Sequence, residues 1–239
     1  MNYFIENFFY HYSYPLLYVI CLGYFLFLYF GIGSLFLASC KFLANKTIIH
    51  KIEAKTLKKN QTSFEIKHSV KSIVIFGFSI LPIVYLVRNN SIKFLPDTFL
   101  NILGGIVVLT LWNEIHFYIS HRILHQKYLL KNVHYIHHKS YIPTIYSVYS
   151  FHWIEALILS TVPLTIIPFI PISMIAVFIY PLVSILLNFA GHSNYRFGNG
   201  KGNDWKNFGT LHHQHHSKGK RNFGFAINIL DRLFSNNKK

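Results

Sequence analysis

Only eight of the 239 residues are acidic, and only two, Cys21 and Cys40, are cysteine. Two cysteines within or at the edge of an apolar run build neither a disulfide framework nor a cysteine-ligated cluster, and both are expected to be packing residues. So few carboxylates leave no room for the Glu-x-x-His pairs with which soluble helical bundles hold paired metals. Charged residues of both signs reach only 13%, about half the share of a soluble domain. No glycine-rich dinucleotide fingerprint is present, which leaves no flavin or nicotinamide module in view. The first fourteen residues carry Glu6 as their single formal charge and no basic segment, so a cleavable signal peptide is not expected; their aromatic residues suit the membrane interface instead.

Long uncharged sequence is what the chain does contain. Hydrophobic residues make up 52% and aromatic residues 18%. Apolar runs cover residues 15–40, 70–87, 98–119 and 153–190, interrupted by little more than Lys71, Glu114 and Glu155. A hydrocarbon core of about 30 Å needs roughly 20 helical residues. The last run is long enough to enter and return, with the reversal near Pro168 and Pro171. This pattern predicts an all-α polytopic membrane protein of about four to five transmembrane or re-entrant helices. The net charge of +15 sits mainly between the runs, where membrane proteins carry it, so no nucleic-acid partner is expected.

Histidine is concentrated in two places. Residues 121–138 hold five of the fifteen, and residues 211–216 hold four more. His121 and His125 stand four apart and share a helical face, and His134, His137 and His138 repeat the device at spacings of three and four. His212, His215 and His216 reproduce that spacing, while His213 is the alternative to His212 if the helix is rotated. Eight or more imidazoles suit two metals better than one. If both clusters build one site they share one side of the membrane, and the 41–69 loop falls there too. That side then collects nearly every Lys and Arg, leaving Arg88 and Lys93 opposite. By the positive-inside rule the histidine-rich helical cap is expected to be cytoplasmic, on a bacterial plasma membrane or the endoplasmic reticulum according to source.

The order of these elements carries a resemblance. Glu114-Ile-His-Phe-Tyr118-Ile-Ser-His121-Arg122-Ile-Leu-His125, then His134-x-x-His137-His138, resembles the opening of the fatty acid hydroxylase/sterol desaturase superfamily. Phe151-His152-Trp153-Ile-Glu155 is similar to its His-Pro-x-Glu element, with Trp153 in place of proline, and His192 matches a lone histidine after the membrane hairpin. His212-x-x-His215-His216, Asn222-Phe223-Gly224 and Asp231-Arg232-Leu233-Phe234 resemble the closing signature, with Phe223, Leu230 and Ser235 replacing its Tyr, Trp and Gly. The resemblance covers about residues 98–235.

It implies a membrane-embedded di-iron oxygenase that hydroxylates or desaturates a lipid at an unactivated C–H bond. O2 would be the co-substrate, with electrons from a separate cytochrome b5-like or ferredoxin-like donor. The lipid would be a sterol, fatty acyl, sphingoid, carotenoid or ether lipid entering from the bilayer. Two irons per chain would be held by His121, His125, His134, His137, His138, His192, His212, His215 and His216. Glu114 and Glu155 are expected to hold the outer N–H of ligand imidazoles, and His152 to do the same or to ligate. Where some relatives carry a further histidine, this chain has Arg196. His116 is expected to be an ordinary interfacial histidine, and Arg122 is expected to pair with Asp231 or Arg232's segment. Residues 1–97 would form N-terminal transmembrane helices and a basic cytoplasmic loop, and residues 98–239 the fatty-acid-hydroxylase-like di-iron domain. A non-enzymatic metal-binding membrane protein, a transporter or sensor, is the alternative.

Overall fold

In hydrocarbon, a chain satisfies its backbone most simply by coiling into helices, and the apolar runs do so. The computed structural model describes residues 3–197, 209–219 and 221–234; Ser235 lies outside them. A short helix α1 (Tyr3–Tyr10) leads into α2 (Tyr14–Asn45), which Pro15 opens and a π-helical stretch at Phe27–Ile32 widens. Helix α3 (Gln61–Arg88) is interrupted at residues 78–79, just ahead of Pro82. Helix α4 (Phe99–Leu124) starts at Thr98, whose hydroxyl accepts from the Asn101 amide.

The fourth apolar run behaves differently from the others. Helix α5 (Trp153–Ser160) is too short to cross a bilayer, and Pro163, Pro168 and Pro171 break the chain into turns behind it. The chain nevertheless reaches the far end of α4. The Leu95 amide donates to the Ile172 carbonyl at 3.0 Å, and the Ser173 hydroxyl to the Asp97 carboxylate at 2.6 Å. Helix α6 (Met174–His192) then returns to the histidine end, so the run passes twice, once as helix and turns and once as helix. Among the described residues four helices, α2, α3, α4 and α6, are long and apolar enough to span a membrane. The protein is an all-α integral membrane protein; the one sheet among the described residues is a two-residue antiparallel pair, β1 (His50–Lys51) with β2 (Tyr195–Arg196). That pair, and the two hydrogen bonds between Asn194 and the backbone of Glu53, tie the polar 41–69 segment to the histidine end.

The two larger of the three apolar clusters among the described residues stack along the bundle. One gathers Phe8, Phe9, Leu17, Ile83, Leu109 and Val177 away from the histidines, the other Leu28, Tyr29, Ile73, Ile145 and Phe189 nearer to them. Lipid-facing residues such as Val19, Leu35, Phe99 and Leu111 stay exposed. Gly105 lets α4 approach α6, since a Cβ there would lie 2.7 Å from both the Ala176 Cβ and the Ile172 Cγ2. Gly105→Ala is therefore expected to destabilise the bundle by about 1–3 kcal/mol, read as a lower melting temperature in detergent. An unchanged melting temperature would show that α4 and α6 can part at no cost.

Candidate metal centre

Helix ends bring the histidines together. His121 occupies the last turn of α4 and His125 its C-cap. His134, His137 and His138 follow on residues 127–138, a helical stretch that is π-helical over Leu130–His134. His192 ends α6, and helix α7 (Thr210–Lys218) carries His212, His215 and His216. Helix α7 can lie against α6 because Gly209 has φ +88° and no side chain; a Cβ would sit 2.1 Å from the Ala190 carbonyl oxygen.

Successive residues on a helix point about 100° apart, so adjacent histidines part company. His121, His125, His134, His138 and His215 form one group, and His137, His192, His212 and His216 a second. Within each group the potential ligand atoms all lie within 4.8 Å of one another. Each pair spaced by four, 121/125, 134/138 and 212/216, serves one group. The remaining histidine of each His-x-x-His-His serves the other. Neither group is complete without both segments.

The proton positions follow from the acceptors. His121 Nδ1 faces the Phe223 carbonyl at 2.9 Å, His215 Nδ1 the Arg221 carbonyl at 2.7 Å, and His192 Nδ1 the Asn188 carbonyl at 3.0 Å. A carbonyl only accepts, so these nitrogens carry the N–H and each Nε2 is a bare lone pair. His134 Nδ1 likewise faces the Glu155 carboxylate at 2.8 Å. Yet the His121 and His134 Nε2 atoms stand 3.1 Å apart, and those of His215 and His125 3.0 Å. His192 Nε2 lies 3.2 Å from His212, 3.2 Å from His216 and 3.4 Å from His137. Where two such lone pairs converge, as at His121 and His134, they repel unless a cation lies between them. Metal–nitrogen bonds of about 2.0–2.1 Å put neighbouring ligand nitrogens about 3.0–3.4 Å apart, the spacing seen in both groups. The donor set fits two metal ions.

Burial supports the same conclusion. Removal from water, helped by neighbouring imidazoles, pushes His134, His137, His212 and His216 well below the usual histidine range. Desolvation, with His138 beside them, takes His125 to about 4 and His215 to about 3, and desolvation takes His138 itself to about 4. At neutral pH these side chains are uncharged, the form that ligates. Glu155, 1% exposed, fixes the His134 ring. Glu155→Gln keeps the shape and loses the charge, so metal affinity of the five-histidine group is expected to fall about 10–100-fold in a chelator competition. An unchanged affinity would show that the carboxylate does not orient the ligand.

Glu114 is arranged otherwise than the sequence reading expects. It reaches no histidine among the described residues. Its oxygens accept from the Phe225 and Ala226 amides at 2.8 and 2.9 Å, because the 223–227 turn lies between it and the imidazoles. Asp231 accepts from the Phe223 and Gly224 amides, both at 2.9 Å. Two carboxylates thus hold a strap, residues 221–227, whose carbonyls orient His121 and His215. Arg122 does not pair with Asp231; it contacts the Tyr118 hydroxyl and the Phe223 ring. His152 belongs to neither group, since its Nδ1 caps α5 by accepting from the Ile154 amide at 3.3 Å. His213 is buried outside both groups, and His116 pairs with Thr161.

Beneath the histidines lies a cavity of about 390 Å³ between α2, α3, α4 and α6. Phe117 and Phe151 form its inner end, their rings 4.8 Å from His121 and 4.9 Å from His137. Phe4, Phe8 and Phe178 line the other end.

This sequence matches the fatty acid hydroxylase family model over residues 106–236, which is more than half of its length. The chain belongs to the fatty acid hydroxylase family. It is also 25% identical over 186 residues to rat (Rattus norvegicus) lathosterol oxidase, a match covering 73% of this chain and 60% of that protein's length. No solved structure matches.

All nine histidines expected as ligands fall in the two groups. Sequence reasoning missed the strap and also Glu65, which is fully buried and accepts from Gln61 at 2.8 Å and from Thr144. Glu65 fastens α3 to the loop that follows His138. Its signal was one of only two carboxylates in a lysine-rich segment, four residues after a glutamine.

Proposed function

We propose that this protein is an O2-dependent lipid oxidoreductase, a hydroxylase or desaturase acting on an unactivated C–H bond at a histidine-ligated di-iron centre. The observation that carries it is the convergence of imidazole nitrogens in two adjoining groups beside the inner end of an apolar cavity. His121, His125, His134, His138 and His215 would hold one iron, and His137, His192, His212 and His216 the other. Bound there, the iron pair supplies O2 activation. Hydroxylation consumes the lipid C–H, O2, two electrons and two protons, and releases the alcohol and water; desaturation releases the alkene and two waters.

The chain's own part is positional. Phe117 and Phe151 hold the lipid carbon at the inner end of the cavity and exclude water from it. Residues 98–239 carry the chemistry, while residues 1–97 supply cavity walls through Phe8, Tyr24 and Phe76 and a basic loop on the cytoplasmic side. Only the five-histidine group has partly exposed members, His125 and His138, so electrons from a separate one-electron donor enter there. A transporter would need its polar ligands at mid-membrane depth, whereas these histidines sit at helix ends. Imidazoles 3.0–3.4 Å apart leave no space for a haem between them.

The test is turnover of total membrane lipid by iron-loaded protein with a chemical reductant and isotopically labelled O2. The expected result is a lipid carrying the label, or an alkene formed with matching O2 consumption. Neither product, from protein that holds two irons, would contradict the reading.

A further inference from the structure

Most polar groups along the cavity already have partners. The Tyr24 hydroxyl donates to the Phe178 carbonyl at 2.9 Å, the Ser79 and Ser160 hydroxyls to carbonyls one turn back, and the Asn188 amide to the Val148 carbonyl at 3.1 Å. The Tyr180 hydroxyl is paired with Ser184. Two groups differ. Asn113 and Tyr149 line the cavity, are 6% and 8% exposed, and have no side-chain hydrogen bond among the described residues. Buried polar groups without partners are rare and costly, and an apolar ligand filling the cavity would seal these two from water.

Their positions are informative. Asn113 lies one helical turn before Phe117, and Tyr149 has its ring 6.5 Å from that of Phe151. Each is therefore one phenylalanine away from a histidine group. The opposite end, at Phe8, Ile20 and Phe178, is apolar. Among the described residues no charged side chain lines the cavity, so a carboxylate or phosphate placed inside would meet no counter-ion from them. An amide and a phenol each offer a donor and an acceptor, which suits a neutral oxygen.

We propose that the lipid carries a neutral hydroxyl or carbonyl oxygen that enters the cavity and hydrogen-bonds Asn113 and Tyr149, within a short distance of the carbon to be oxidised. This names a substrate class, an oxygenated neutral lipid rather than a hydrocarbon tail whose polar head stays at the bilayer surface. It rests on the lipid-oxidase reading for the fate of the ligand, but not for its binding.

The experiment compares matched probes, hexadecanol against hexadecane and cholestanol against cholestane, for binding to the full chain in nanodiscs without O2. At least one alcohol is expected to bind about ten-fold or more tightly than its hydrocarbon. Asn113→Leu and Tyr149→Phe are each expected to erode that preference about three-fold or more. Tyr149→Phe keeps the ring, so it decides the matter if Asn113→Leu does not fold. Equal binding of alcohol and hydrocarbon in both pairs would overturn the inference, as would a preference untouched by the variants or tighter binding of palmitate than of hexadecanol. Loss of the oxidase reading shows separately, as protein that binds no metal or forms no product while its binding preference is intact.

Discussion

His192→Ala is expected to leave one metal per chain and to reduce product formation to below about one-hundredth of wild type. His192 Nε2 is the hub of the four-histidine group, 3.2–3.4 Å from each of its three partners. Losing a partner that only orients a ligand already costs about 10–100-fold in affinity or activity, and losing the ligand itself exceeds that. The five-histidine group does not include His192 and is expected to keep its ion. His152→Ala is the control, because His152 caps α5 and should cost about 0.5–2 kcal/mol of stability with both metals retained. Elemental analysis separates the cases: two metals in the His192 variant, or one in the His152 variant, would contradict the assignment.

Glu114→Ala should act on the other group, without touching a histidine. Its carboxylate, 6% exposed, accepts from two backbone amides of the 221–227 strap. Hydrogen bonds to a charged group contribute about 1.5–3 kcal/mol each, and removal leaves buried donors unpaired, so a loss of about 3 kcal/mol or more is expected. Once the strap moves, His121 and His215 lose the carbonyls that set their tautomers, and affinity at the five-histidine group should fall about 10–100-fold. Gly224→Ala should reproduce this, since its Cβ would lie 2.1 Å from the Ile227 carbonyl oxygen and close to both Glu114 and Asp231. Metal titrations on both variants provide the check. Equal weakening of both groups would mean general unfolding, and no weakening would mean that the strap does not orient the ligands.

Periodicity made the helices and the ligands readable. Uncharged runs longer than a bilayer's width have one stable conformation, and imidazoles spaced by three and four project from one face of a helix. Which histidine serves which ion is a matter of rotation about the helix, and the adjacent pairs 137/138 and 215/216 divide between the groups for that reason. The fourth apolar run was legible as a double pass, but its first leg is largely turns because three prolines interrupt it. Glu155 does hold an imidazole, whereas Glu114 holds backbone. Both are single carboxylates within apolar sequence, and only the path of a turn more than a hundred residues later distinguishes them. Asn113 and Tyr149 carry no motif, and their lack of a side-chain hydrogen bond among the described residues is visible only in three dimensions.

The most direct test of the central claim is metal stoichiometry. Protein purified in detergent from cells supplied with iron and kept short of zinc would be measured by elemental analysis alongside quantitative amino-acid analysis. The account predicts about two irons per chain, one of which is lost in His192→Ala. One metal or none in the unaltered protein, or a stoichiometric haem, would contradict it.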